Sequence, residues 1–205
     1  MPSKPLYDSP SENLSYFAHS FTPNSFLSPS RQLINPQNDD EVLSFTKEIF
    51  EHTTSEKMPD NFKISVLSLE SFKLVHSVFG RWSSGILGFS LNELKQVFVR
   101  ETDLATLLIV IGHEIGHILT PSLENKHDEE AKAFAFTMEW ANNLKEHNVA
   151  NLGTSISQTF SPAKNGLHDL AFEFVDLMTR KSRNAKQLHE DLVKRYVSIL
   201  NKTYF

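Results

Sequence analysis

Two histidines and a glutamate stand close together in the apolar stretch IVIGHEIGHIL, residues 109–119. His113 and His117 are four residues apart, so on a helix their imidazoles project from one face, one turn apart. A zinc ion takes nitrogen ligands at about 2 Å, and this spacing lets one helix supply two of them. Glu114 lies beside the first histidine, where it can reach a metal-bound water rather than the metal itself. Two buried histidines and a carboxylate are costly without a metal, so the stretch is predicted to be a core helix that also binds one.

A catalytic zinc ion needs a third protein ligand and an open position for water. The next histidine, His127, comes ten residues after His117, and the following helix, HDEEAKAFAFTMEW, offers carboxylates instead. Small side chains one and two turns after such a ligand would let the two helices pack closely. Asp128 and Glu130 are both followed by Ala or Thr at these positions, whereas Glu129 is followed by a lysine. Glu129 is therefore set aside, and Asp128 and Glu130 remain as alternatives.

The pattern GHEIGH followed by an acidic helix resembles the gluzincin group of metallopeptidases, which carry the zincin motif HExxH. Within that group it is most similar to very small single-domain gluzincins and to the peptidases that cleave phage-immunity repressors. The similarity covers about residues 61–146. Aligned on AKAFA, the metal-binding glutamate of the family falls on Asp128, but Glu130 has the longer reach and fits the same pattern two residues later. We therefore expect Glu130 to be the third ligand and keep Asp128 as the alternative.

The resemblance implies a zinc-dependent peptidase that hydrolyses a peptide or protein substrate through a metal-bound water, with Glu114 as the general base. It also implies that a strand just before the motif helix, GILGF or QVFVR, forms the sheet edge along which an extended substrate pairs. Two alternatives remain. The chain could be a non-proteolytic metal-binding regulatory or interaction module of the same fold. It could also be a latent peptidase whose groove is blocked by its own terminal segment.

Hydrophobic periodicity predicts the elements that would hold these residues. A hairpin of GILGF and QVFVR, joined by SLNELK, precedes a helix that Thr102 caps and that ends at Leu119. Period-two alternation predicts a strand in 61–69, and in 70–80 a short helix is favoured over a strand. Further helices are predicted at 39–52, 128–147, 168–181 and 184–200, with a loop at 153–166. The fold class is therefore α+β, with a small mixed or antiparallel sheet, the motif helix, an acidic second helix and a helical C-terminal part.

The composition is that of an ordinary globular chain: 205 residues, of which 40% are hydrophobic and 22% charged, which suffices for one domain. A formal net charge of −5 gives no basic surface, so neither nucleic acid nor a membrane is expected as a partner. The chain contains no cysteine, which excludes thiolate ligands and fits a cytoplasmic location. The N-terminal sequence has no apolar segment of the kind found in signal peptides.

The first forty residues differ in composition from the rest. They are rich in Ser, Pro and Asn with scattered aromatics, which predicts a flexible or loosely docked extension, or a segment that lies in a groove through its aromatic side chains. Residues 41–205 are predicted to form a single zincin-like metallopeptidase domain. Because a tethered segment competes with substrate in cis, either residues 1–40 or the C-terminal TYF is expected to modulate access to the site.

Four other polar residues are weaker candidates for the site. His168, at a helix start, could polarise a substrate carbonyl, but capping of that helix by Asp169 is the simpler interpretation. Tyr196 and Tyr204 could donate a hydrogen bond to an oxyanion. An ordinary amphipathic helix explains Tyr196 equally well.

Overall fold

The computed structural model describes residues 21–157, 167–181 and 183–200, together with the backbone of Tyr16–Phe17. Within these residues, six α-helices and one small sheet confirm the predicted α+β class. The helices are α1 (Asp39–Thr54), α2 (Leu69–His76), α3 (Leu104–Ile118), α4 (Lys126–Glu146), α5 (Leu167–Lys181) and α6 (Ala185–Val193). The strands are β1 (Tyr16–Phe17), β2 (Lys63–Leu67), β3 (Gly88–Leu91) and β4 (Gln96–Arg100).

The sheet is mixed, and its strand order is β1-β3-β4-β2. The strands β3 and β4 form the predicted hairpin, with Gly88 opposite Val99 and Leu91 opposite Gln96. Beyond β4, β2 runs parallel to it, which requires a crossover connection, and α2 lies within that connection. On the other side, β1 pairs antiparallel with β3. Both predicted candidates for the substrate edge are therefore interior strands: β4 lies between β3 and β2, and β3 lies between β4 and the two-residue strand β1.

The two faces of the sheet pack against different partners. Val97 and Val99 belong to the main core that surrounds α3, while Phe98 between them points to the opposite face, as alternation along a strand requires. There the Phe98 ring stacks on Phe89 with ring centroids 4.8 Å apart, and α2 contributes Phe72 to the same cluster. The sheet is thus fixed between α3 on one face and an aromatic cluster on the other.

Helix α3 lies at the centre of the main core, and all fifteen of its residues are buried. Its N-cap is Asp103, whose carboxylate accepts hydrogen bonds from the backbone N–H and the hydroxyl of Thr106 at 3.2 and 2.6 Å. The prediction of Thr102 as the cap is wrong by one residue, because it is the Asp103 carboxylate that satisfies an amide left open by the first turn.

The C-terminal end of α3 is held by the turn between β3 and β4. The Asn92 amide nitrogen donates to the backbone carbonyls of His117 and Thr120 at 2.8 and 2.9 Å. The Lys95 ammonium donates to the carbonyl of Ile118. These bonds satisfy carbonyls that the helix end leaves open, and they tie the hairpin to the turn of the helix that carries His117.

Two glycines let α4 lie directly against α3. A Cβ on Gly112 would lie 2.6 Å from the Trp140 indole ring, and one on Gly116 would lie 3.0 Å from the Cα of Ala133. The Trp140 N–H donates to the backbone carbonyl of Leu108 at 2.9 Å. The glycine before each histidine therefore permits close packing of the two helices.

Of the predicted N-terminal extension, residues 1–40, the last two residues begin α1, and the stretch 21–38 before them packs on the rest of the domain. Phe21, Phe26 and Leu27 are buried in the main core. Leu27 also forms an isolated antiparallel bridge with Ile156. This part of the chain is therefore attached through both its aromatic side chains and its backbone, while residues 1–15 and 18–20 lie outside the described residues.

Helix α6 ends at Val193, so the prediction of a helix to residue 200 is wrong for its last seven positions. The chain turns at Arg195, which has a left-handed φ of 60°. It then reaches α4, where the Asp128 carboxylate accepts from Ser198 Oγ and from the Ile199 N–H at 2.8 and 2.7 Å. This long-range contact replaces the helical hydrogen bonds. None of the helices in the described residues is long and apolar enough to cross a bilayer.

Candidate metal centre

Helices α3 and α4 bring His113, His117 and Glu130 together. Glu130 Oε2 lies 3.7 Å from His113 Nε2, and Glu130 Oε1 lies 3.8 Å from His117 Nε2. These separations are too long for hydrogen bonds, but they suit ligands that each lie about 2 Å from one ion between them. Ligand atoms of all three residues lie within 4.8 Å of one another, and the described residues contain this one group of possible metal ligands.

The second nitrogen of each imidazole is held by a residue of α4. His113 Nδ1 lies 3.2 Å from Thr137 Oγ1, whose own proton is directed to a backbone carbonyl at 2.7 Å. Thr137 therefore accepts a hydrogen bond from His113. His117 Nδ1 lies 2.9 Å from Glu129 Oε1, and an ionised carboxylate can only accept. Both imidazoles are thus held with the proton on Nδ1, which directs the Nε2 lone pairs toward Glu130.

Glu129 is a fully buried carboxylate with three partners. Its Oε1 lies 2.9 Å from both His117 Nδ1 and Lys132 Nζ, and its Oε2 accepts from the Leu123 N–H at 2.7 Å. Burial alone would raise the pKa of Glu129, but His117 and Lys132 outweigh it and lower the pKa. Glu129, which was set aside as a ligand, lies behind His117. Sequence reasoning missed this role, although a buried metal-binding histidine needs such a partner for its second nitrogen.

The charges around His117 favour a cation. Burial opposes protonation of this imidazole, but the carboxylates of Glu130, Glu129 and Glu114 outweigh burial and raise its pKa. The same negative field would attract a metal ion between the imidazoles and Glu130. Two imidazoles and one carboxylate form a donor set that catalytic zinc ions take, with a fourth position left for water. The residues present therefore fit a zinc ion.

Glu114 lies on the side of α3 that faces β3. The Ser90 hydroxyl donates to Glu114 Oε2 at 2.8 Å. Gly88 provides the space, since a Cβ at this position would lie 3.2 Å from Glu114 Cγ and 2.5 Å from Val110 Cγ1. The strand and the helix together hold this carboxylate next to the two histidines. Sequence reasoning had identified the GILGF strand as an edge but not these two contacts.

The other predicted site residues lie elsewhere. Asp128, the alternative third ligand, is half-buried and holds the C-terminal segment through both carboxylate oxygens. Tyr196 is 71% exposed. Asp169 lies in the first turn of α5, where it was expected. Tyr204 and the side chain of His168 lie outside the described residues.

Comparison of the chain with protein-family models, with curated proteins and with solved structures gives no match in any of the three. Function is therefore inferred from the residues of the site.

Proposed function

We propose that the chain is a zinc-dependent peptidase of the gluzincin type, in which His113, His117 and Glu130 hold the ion. The observation that carries the proposal is the orientation of both Nε2 atoms toward Glu130 at distances of 3.7 and 3.8 Å. Thr137 and Glu129 maintain this orientation through hydrogen bonds to the Nδ1 atoms of His113 and His117. Direct hydrogen bonds would need shorter distances, so the arrangement is better explained by an ion than by a structural histidine–glutamate network.

A zinc ion bound there would supply Lewis acidity, which acidifies a water molecule and polarises a carbonyl oxygen. The chain itself supplies the base. The Glu114 carboxylate takes a proton from the attacking water, whose oxygen forms a bond with the carbonyl carbon. Glu114 then delivers the proton to the amide nitrogen as the C–N bond breaks, so the products are a carboxylic acid and an amine. Ser90 orients the Glu114 carboxylate for both transfers.

The proposed substrate is an extended peptide or protein segment that pairs with β3. Pairing along a strand edge provides affinity through main-chain hydrogen bonds without requiring a particular sequence. The support for β3 is its position, since Ser90 lies in this strand and contacts Glu114. The strand β4 is paired along its whole length with β2, whereas the outer side of β3 is paired only with the two residues of β1.

Glu114→Gln tests the proposal because it removes the base and keeps the side-chain volume. Zinc content should remain as in the wild type, whereas hydrolysis of a peptide library should be lost. Glu146→Gln, on the exposed end of α4, is the matched control and should retain both properties. Turnover of the library by Glu114→Gln at the wild-type rate would show that this residue is not the base. Since the site is buried, turnover is measured both on the full chain and on a chain that lacks residues 1–20.

A metal-binding module without peptidase activity is the second candidate. The burial of the site favours it, because His113, Glu114, His117 and Glu130 are each at most 3% exposed. Such a module would bind zinc with the same ligands. It would hydrolyse no peptide even after its groove is opened, and Glu114→Gln would then change nothing measurable.

A further inference from the structure

The outer edge of β3 is covered by the chain itself. In the antiparallel pairing of β1 with β3, Tyr16 lies opposite Leu91 and Phe17 lies opposite Ser90. Ser90 is also the residue whose hydroxyl contacts Glu114. The backbone of β1 therefore takes the main-chain positions that an extended substrate would need beside the proposed base.

A second contact covers His113. The Phe21 ring stacks on the His113 imidazole, with centroids 4.0 Å apart and an interplanar angle of 5°. Phe21 also packs against Phe134 at 5.7 Å, and only 4% of it is exposed. Phe17 and Phe21 are four residues apart, a reach of at most about 14 Å. The strand β1 thus covers the edge of β3 and Phe21 covers His113, and we call β1 together with Phe21 the N-terminal strap.

The strap is tethered to a firmly packed anchor. Phe26 is completely buried, and its carbonyl accepts from the Ser157 N–H at 2.9 Å. The Ser28 N–H donates to the Ser155 carbonyl at 2.8 Å. These two backbone hydrogen bonds involve no atom of the strap, although the Phe26 ring also packs against Phe21 with centroids 6.0 Å apart. The backbone of the anchor can therefore stay in place when the strap leaves the site.

We propose that the N-terminal strap occupies the substrate groove in cis and keeps the site latent until it is displaced or removed. This inference rests on the proposed peptidase function, whose substrate would use the same edge of β3. A segment tethered this closely competes at an effective concentration of about millimolar. The two-residue pairing of β1 can then exclude a weakly bound substrate without high intrinsic affinity.

Two truncations test the proposal. Removal of residues 1–15 keeps the strap and serves as the matched control, whereas removal of residues 1–20 combined with Phe21→Ala deletes it. Successive residues of a strand direct their N–H groups to opposite edges, so either Ser90 or Leu91 has its amide protected by β1. Without the strap, that amide should exchange its hydrogen about tenfold faster, which is the factor that one or two main-chain hydrogen bonds provide. Zinc should also be lost faster to a chelator, and peptide turnover should rise.

Unchanged hydrogen exchange and unchanged zinc loss relative to the control would overturn the proposal. Faster exchange without any turnover would support the strap and count against the peptidase function, so the two failures are distinguishable. If Phe21→Ala prevents folding, the chain that lacks residues 1–20 but retains Phe21 gives the exchange measurement alone. In that chain, β3 should lose its protection while His113 stays covered.

Discussion

Glu129 has two expected roles, one in zinc binding and one in folding stability, and mutations can separate them. Glu129→Ala removes the acceptor of the His117 Nδ1 proton and leaves the Lys132 ammonium, itself 0% exposed, without the carboxylate 2.9 Å away. Loss of an outer partner of a metal ligand weakens metal binding by about 10–100-fold, or about 1.4–2.7 kcal/mol. Breaking a buried ion pair on one side costs about 3–5 kcal/mol of folding free energy. We therefore expect both a weaker zinc affinity and a lower unfolding free energy.

Two further variants distinguish these effects, measured by competitive zinc titration and by urea unfolding of the metal-free chain. Lys132→Met keeps the bond between Glu129 and His117, so zinc affinity should not fall. The double variant Glu129→Ala/Lys132→Met removes both charges and should regain much of the lost stability, but its zinc affinity should stay low. Recovery of zinc affinity in the double variant, or wild-type affinity in Glu129→Ala, would refute the orienting role of Glu129.

Two other perturbations test the packing around the site. Burial, together with the Lys132 charge, lowers the pKa of His189 to about 4, so between pH 6.5 and 4 the unfolded chain binds a proton that the folded chain does not. The unfolding free energy should therefore fall as the pH drops through this window, by up to about 3 kcal/mol from His189 alone. His189→Met should lose less unfolding free energy on acidification. If the wild type and the variant show the same pH dependence of unfolding, this explanation is wrong. Gly116→Ala places a Cβ 3.0 Å from the Ala133 backbone and should cost about 1–3 kcal/mol in thermal or urea unfolding, whereas a neutral effect would show that α4 can move away freely.

Local sequence patterns predicted the helices and strands well where short-range interactions determine them. The apolar helix of α3 and the hairpin before it follow from periodicity and turn residues. The end of α6 does not, because it depends on Asp128 binding Ser198 and Ile199 from a distant helix. The sequence pattern within residues 184–200 does not predict that contact.

The candidate site was predictable to a similar extent. The pair His113 and His117 is visible from spacing alone, but the choice between Asp128 and Glu130 depends on how α4 is rotated about its axis. That rotation is set by packing against Gly116, which faces Ala133, one turn after Glu130. The composition of residues 1–40 suggested only that an aromatic segment could lie in a groove. That Phe21 covers His113 depends on how the chain packs in three dimensions, which local sequence does not determine.

The most direct test of the metal centre is the zinc stoichiometry of Glu130→Ala compared with Asp128→Ala. We predict about one zinc ion per chain for the wild type and for Asp128→Ala, which should lose only the attachment of the C-terminal segment. Glu130→Ala should lose the ion or bind it far more weakly, because a ligand is gone. The opposite order of the two variants, or a wild-type chain that takes up no zinc when it is offered, would contradict a site formed by His113, His117 and Glu130.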